Sequence, residues 1–227
     1  MRFSIIVPVL NESATIRENL LALQRHRDDQ CEVIVVDGGS IDGTYSLCDG
    51  LCDSLLRSDP GRAKQMNIGA GVSKGEILIF LHADTHLPRG FKSILNSFDD
   101  TKNGDDFFWG RFNVSLSGRF FMFRIIESLM NSRSRLTGIA TGDQAIFVSR
   151  KLFDSVGGFP DIPLMEDVQM SLVLKKIVSP LCVKDRVRTS SRRWEKNGIF
   201  RTIFLMWRLR FEFFCGVDPV VLAKKYR

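Results

Sequence analysis

The chain opens as a repeating alternation of apolar runs and amphipathic segments. "FSIIVPV" (3–9) is a short β-rich run, and "NESATIRENLLALQRH" (11–26) carries apolar residues at helical spacing. "EVIVVD" (32–37) is a second apolar strand ending in an acid, followed by the loop "GGSIDGT" (38–44) and a short helix predicted through Cys52. "SLLR" (54–57) reads as a third strand, "GRAKQMNIGAGVSK" (61–74) as a loop entering a helix, and "EILIFLHAD" (76–84) as a fourth strand. This alternation predicts an α/β fold: a mostly parallel central sheet with helices on both faces and a Rossmann-like first half. In such sheets ligands bind beyond the carboxyl ends of the strands. Asp37 and Asp84 both lie at such ends.

The second half has a different rhythm. "FFWGRFNVSL" (107–116) alternates like a strand, and "RFFMFRIIESLMNSRSR" (119–135) has the apolar face of a helix. "GDQAIFVS" (142–149) reads as another strand and "EDVQMSLVLKKI" (166–177) as a helix. From Trp194 to Cys215 runs a long helical pattern rich in Phe and Arg. No linker interrupts the 227 residues, so one domain is expected. Within it, the expected divisions are 1–90, 91–195 and a helical extension at 196–227.

Composition narrows the class. Apolar residues make up 44%, enough for a substantial core. A net charge of +6 favours anionic partners without choosing among nucleic acid, phosphorylated small molecules and membrane surfaces. No groove-reading motif appears and the basic residues are dispersed, so a nucleic-acid partner is not expected. No apolar run approaches the ~20 residues of a membrane span, and the N-terminus has no cleavable signal pattern. The five cysteines include no CxxC. Reduced thiols in a cytoplasmic protein are expected, with Cys48 and Cys52 able to share a helix face.

Five stretches carry candidate chemistry, each with a structural alternative. Asp37 at a strand end can accept hydrogen bonds from a nucleobase or ribose, while "DGGSIDGT" also suits an ordinary tight turn. The loop is neither GxGxxG nor a Walker loop, so the usual dinucleotide and NTPase readings lose support. Arg62 and Lys64 enter a helix where cations and amide donors suit a diphosphate, or simply form a solvated basic helix start. His82 and Asp84, two apart on a strand, are expected to point the same way. Asp84 there can bind Mg²⁺ or Mn²⁺ with phosphate oxygens, and His82 suits Mn²⁺ better; the alternative is a strand-end turn before Pro88. Glu166 and Asp167 offer a catalytic base, or are first-turn acids stabilised by a helix dipole. Arg192, Arg193 and Trp194 either close over a phosphate and shape a pocket, or start a helix with snorkelling arginines.

Taken in order, "SIIVPVLNE" (4–12), "VIVVDGGSIDGT" (33–44), "GRAKQMNIGA" (61–70), "LIFLHADT" (78–85), "GDQAIFVSRKLFDSVGGF" (142–159) and "MEDVQMSLVLKK" (165–176) resemble a family 2 glycosyltransferase of the GT-A fold. "GRAKQMN", "LHADT" and "SSRRWEKNG" look more specifically like the subgroup labelled rSAM/selenodomain-associated transferase 2. The resemblance implies roles. Pro8, Asn11 and Glu12 would line the nucleotide pocket, Asp37 would contact a uracil or guanine base, and Arg62 would lie near the phosphates. Gly39, Lys64, Asn67 and Ala83 belong to the same nucleotide set. Asp84, the last acid of a D-x-D motif, would hold a divalent metal, Mn or Mg, with His82 beside it. Asp167 would be the catalytic base. Gly142, Asp143, Gln144, Glu166, Arg192, Arg193 and Trp194 would border the sugar and acceptor.

The sequence departs from D-A-D at His82, which removes one negative charge from the expected metal site. The expected reaction is an inverting transfer from a UDP- or GDP-linked sugar to an unidentified hydroxyl, with a donor-binding protein bearing a decayed site as the alternative. A nucleotidylyltransferase would need a basic Gly-rich loop where this chain has "PVLNES". The stretch "GIFRTIFLMWRLRFEFFCG" (198–216) reads first as a buried packing helix and second as one lying on a membrane surface near a lipid-linked acceptor. A homodimer and a peripheral contact with the inner face of a membrane complete the expected partners.

Overall fold

Phe3–Val9 (β1) is buried at every position, because neighbouring strands flank it and helices cover both faces. Its side chains alternate accordingly. Ile5 and Val7 enter a core with Ile16 and Leu20 of Ile16–Gln24 (α1) and with Phe91 and Leu95 of Phe91–Asp99 (α4). Ile6 enters the opposite core with Ala63 and Met66 of Arg62–Val72 (α3), Leu152 of Arg150–Ser155 (α6) and Met170 of Glu166–Leu174 (α7). The computed structural model describes residues 2–99 and 107–226.

The described residues form an eight-stranded sheet. Cys31–Asp37 (β2) pairs parallel with β1, and Ser54–Arg57 (β3) parallel with β2. Ile77–Phe80 (β4) joins the other side of β1, also parallel. Ile146–Ser149 (β7) then runs antiparallel to β4, and Trp109–Leu116 (β6) antiparallel to β7. Leu181–Thr189 (β8) lies parallel to β6, and the short Thr85–His86 (β5) closes the order β3-β2-β1-β4-β7-β6-β8-β5. The remaining helices are Thr44–Cys48 (α2), Phe121–Thr137 (α5), Arg192–Asn197 (α8), Ile199–Phe214 (α9) and Pro219–Tyr226 (α10).

Several expected elements are trimmed by tertiary contacts. Helix α1 starts at Ile16 rather than in the Asn11 region. The N–H groups of Asn11, Glu12 and Ser13 donate sideways to Ser40 Oγ (2.9 Å), Thr44 Oγ1 (2.8 Å) and Asp42 Oδ2 (3.0 Å), which ties two loops together. Helix α2 ends at Cys48, so Cys52 shares no helix face with it. Strand β4 stops at Phe80, and Ala83 and Asp84 lie in a turn, so strand alternation does not set how His82 and Asp84 point. Residues Gly142–Gln144 form a 3-10 turn instead of starting a strand. The long helix expected from Trp194 is cut at Gly198, whose φ of 83° ends α8 and starts α9. The five cysteines are free, and burial pushes the thiols of Cys31 and Cys48 up to about 12, which keeps them protonated.

Helix α3 approaches the sheet through Gly69: a Cβ there would sit 2.5 Å from Ile6 Cγ2 and 3.2 Å from Val36 Cγ2. We expect Gly69→Ala to lower stability by about 1–3 kcal/mol through overpacking. Gly71, on the same helix with nothing within 4 Å of its Cβ position, is the control. Gly71→Ala should be neutral or stabilising by up to about 1 kcal/mol. Urea midpoints of the two variants measure the contrast.

Candidate active site

Strand direction decides which residues can meet. Strands β1, β2 and β4 are parallel, so the segments leaving Val9, Asp37 and Phe80 emerge at one edge of the sheet. Strand β7 runs the other way with Ile146 opposite Phe80. Residues 142–145, which precede it, therefore come to the same edge as 81–84.

On one side of this edge, Asp37 is 1% exposed. Its Oδ2 accepts from Gly39 N–H (3.1 Å) and Ser40 N–H (3.0 Å), while its buried Oδ1 has no protein partner. An unmatched buried carboxylate oxygen is costly, and a donor group on a ligand would satisfy it. Gln65 spans the two strand ends, donating from Nε2 to Val9 O (2.8 Å) and Val36 O (2.7 Å). Asn11, at φ 54°, accepts Ile41 N–H on its side-chain oxygen. Glu12 Oε2 holds Arg192 Nη2 at 3.0 Å. Pro8 is buried opposite Val36, and Ala83 O accepts from Asn19 Nδ2 at 2.6 Å. Helix α3 begins at Arg62 with no side-chain cap, which leaves its first amides for an anion.

On the other side, Arg62, Phe80, His82, Gly142, Glu166 and Asp167 line one narrow cleft. Asp167 Oδ2 accepts Gly142 N–H at 2.9 Å and its Oδ1 accepts Val168 N–H at 2.7 Å, so the carboxylate is pinned by backbone. His82 Nδ1 lies 3.2 Å from Asp143 Oδ1. Its Nε2 is buried without a partner against Gly142, where an added Cβ would fall 2.1 Å away. Burial works to raise the Asp143 pKa, but the hydrogen bond and charge of His82 hold it below the usual carboxylate value. Glu166, 3% exposed, pairs with Arg62 Nη1 at 3.3 Å. Burial and the adjacent Asp167 push its pKa up against Arg62. The only described non-glycine residues with positive φ are Asn11, Ala145 and Met165. All three flank this edge, where stored backbone strain accompanies function.

The metal expectation can be tested on the donor set. Asp84 makes no side-chain hydrogen bond or ion pair among the described residues. Burial raises its pKa, His82 opposes this, and Asp143 and Glu12 add negative charge. That environment suits a cation. No group of three His, Cys, Asp or Glu among the described residues is arranged to hold one. A hard ion that takes one carboxylate and completes its shell with substrate phosphates fits this site. His82 fits less well as a ligand, since one nitrogen faces Asp143 and the other is walled off by Gly142.

Five candidate residues are engaged elsewhere. Asn67 is used at both ends of its amide by the backbone of Phe159 (2.8 and 2.9 Å). Gln144 is fully buried and bonds Thr141 N–H. Arg193 stacks 3.8 Å over the Tyr226 ring, and Trp194 packs with Phe123 and Ile126. Lys64 is half exposed and loosely paired with Asp161 at 3.9 Å. Conversely, no motif or spacing pointed to Arg133, whose Nε and Nη2 are buried without partners. Burial and neighbouring Arg210 lower its pKa to about 10, while Asp167 and Asp143 attract it.

The sheet order and the helices covering it are those of the GT-A fold. TarS of S. aureus in complex with UDP-GlcNAc matches at a TM-score of 0.64 and 20% identity, over 84% of this chain and 58% of that one. The mannosyltransferase PcManGT of Pyrobaculum calidifontis, in complex with GDP-Man and Mn2+, matches at 0.63 and 23%, over 92% and 60%. The glycosyl transferase family 2 model matches residues 4–156, and the chain belongs to that family. The glycosyltransferase AglE of Haloferax volcanii is 28% identical over 172 residues, which are 70% of this chain and 56% of AglE.

The raised pKa of Glu166 makes a signed expectation. The native state holds this proton above the ordinary value of 4.5, so stability falls as pH rises from there through the raised value. Glu166→Gln removes that contribution, and its urea midpoint should improve relative to wild type between pH 4.5 and neutrality. A difference between the two proteins that stays constant with pH would count against the assignment.

Proposed function

We propose that the chain transfers a sugar from a UDP- or GDP-linked donor to an acceptor hydroxyl, with inversion at the anomeric carbon. One observation carries the reading: beside a backbone-pinned Asp167, the same sheet edge offers the unmatched Asp37 oxygen and the unpaired Asp84 carboxylate. Asp37 takes a donor group of the base, with Pro8, Asn11, Gly39 and Ala83 around it. Arg62 and Arg192, held by Glu166 and Glu12, offset diphosphate charge. A divalent ion on Asp84, Mn or Mg, would supply further charge balance for the leaving diphosphate.

Asp167 accepts the proton of the acceptor hydroxyl as that oxygen bonds to the anomeric carbon. The bond from that carbon to the diphosphate breaks, and the diphosphate leaves with the electron pair. The Gly142 N–H keeps Asp167 oriented. His82 enters as the partner that orients Asp143 toward the sugar rather than as a metal ligand. The division into a nucleotide half (1–90), an acceptor half (91–195) and a helical extension (196–227) belongs to the same proposal. So does a reducing, cytoplasmic setting, in keeping with five free cysteines.

A thermal-shift series with UDP, GDP and their sugars, with and without Mn²⁺, tests donor binding through its stabilisation of the native state. Asp167→Asn should keep the donor shift and lose about 10²–10⁴-fold in transfer rate. Full turnover in that variant would remove Asp167 from the mechanism. Donor binding by wild type with no turnover under either metal would favour the alternative, a binding protein whose altered His82-Ala83-Asp84 motif no longer supports chemistry.

A further inference from the structure

Helix α9 has two unlike faces. Leu209 and Thr202 are buried on one side, and Leu209 shares a cluster with Met165 and Val168 around the start of α7. On the other side Phe200, Phe204, Trp207, Phe211 and Phe214 are 59–75% exposed. At 100° per residue these five positions fall within an arc of about 80°. The expected buried packing helix is therefore only half right: the inner face packs and the aromatic face is open. A stripe of this size on a folded protein marks an interaction surface.

Charge selects the occupant. Residues 192–226 hold eight Lys or Arg and three Asp or Glu, a net of +5 against +6 for the whole chain. On the wheel of α9, Arg201 and Arg208 flank the aromatic stripe on one side and Arg210 on the other. This is the layout of a helix lying in a lipid interface, with aromatic rings at the acyl boundary and cations at the headgroups. A second copy of the chain would bring the same cationic rim against itself. The neighbouring helix α5, packed with α9 through the cluster of Ile126 and Ile203, also exposes Phe121 and Leu129. No described helix is long and apolar enough to cross a membrane, so contact would be in the plane of the surface.

We infer that the outer face of α9 docks on an anionic lipid surface and that the acceptor is a lipid-linked hydroxyl compound presented there. The acceptor part rests on the transfer reading above. The inner face of α9 backs the helix that carries Asp167, and Arg210 acts electrostatically on Asp143. Docking thus holds the site beside the headgroups.

Flotation with vesicles of phosphatidylcholine containing phosphatidylglycerol, against phosphatidylcholine alone, tests this. Wild type should float with the anionic vesicles, less so in high salt, with a blue shift of Trp emission. The double variant Phe204→Ser, Trp207→Ser should lose roughly tenfold or more in partitioning. Its unfolding midpoint should be unchanged, since both side chains are exposed. Arg201→Gln should weaken binding to anionic vesicles while leaving the fold intact. Wild type that stays with the soluble fraction, or a double variant that floats equally, would overturn the docking. So would a wild-type dimer in light scattering that the double variant abolishes. Donor thermal shift and donor hydrolysis, read without vesicles, should be alike in wild type and the double variant. Failure there with flotation intact overturns the transfer reading alone.

Discussion

The site depends on one pairing, the antiparallel seating of β7 against β4. Four parallel strands send their chain ends to a single edge, but nothing in them brings residues beyond position 140 to the same place. The register that sets Ile146 opposite Phe80 does so. It puts the 3-10 turn at Gly142 beside His82, so closely that only glycine fits. The Gly142 N–H then reaches Asp167, and the start of α7 is fixed relative to the sheet. Apolar packing of α3, α6 and α7 on Ile6 and Leu78 holds that arrangement from below.

The polar groups at this edge are unevenly satisfied, and the unevenness is informative. Asp167 and Asn11 have backbone partners, whereas Asp37 Oδ1, His82 Nε2 and two nitrogens of Arg133 are buried with none. Elsewhere the described interior matches its buried side-chain groups, as with Arg111, which bonds Ser134 and the Asn131 carbonyl although fully buried. Burying a polar atom without a partner costs free energy. Concentrating that deficit where three non-glycine residues also adopt positive φ is the pattern of a surface shaped for a ligand. Opposed charges confine it: Glu166 against Arg62 and Glu12 against Arg192 keep cations at the edge without a ligand present.

Helix α9 joins this site to the exterior. Through Leu209 it supports the segment at Met165, whose left-handed backbone starts α7 and aims Glu166 and Asp167. Through its aromatic stripe it presents an exposed apolar surface flanked by Arg201, Arg208 and Arg210 to whatever lies outside. Gly198 makes the division workable, because the break lets α8 pack Trp194 against α5 while α9 turns its rings outward.

Local pattern was enough for the strands β1 and β2, whose runs of branched apolar residues are buried at every position, and for the short, half-buried β3. It was enough too for helices α3, α5 and α7, and for Asp37 at the end of β2, whereas Asp84 lies in a turn past the end of β4. The parallel first half followed from alternation, and the family resemblance from six motifs in order. What local pattern did not contain were distances between segments far apart in the chain. The helix expected from Asn11 lost its first turn to loop–loop hydrogen bonds. His82 was expected beside Asp84 by strand alternation but turns to Asp143 across 61 residues. Asn67 and Gln144 carry polar groups that look available in sequence and are used up by backbone. The stripe on α9 was readable as a stripe, but exposure is a property of what packs against it. Periodicity encodes which side of an element is apolar; only the assembled sheet and its helices decide which apolar sides find partners and which polar atoms are left without them.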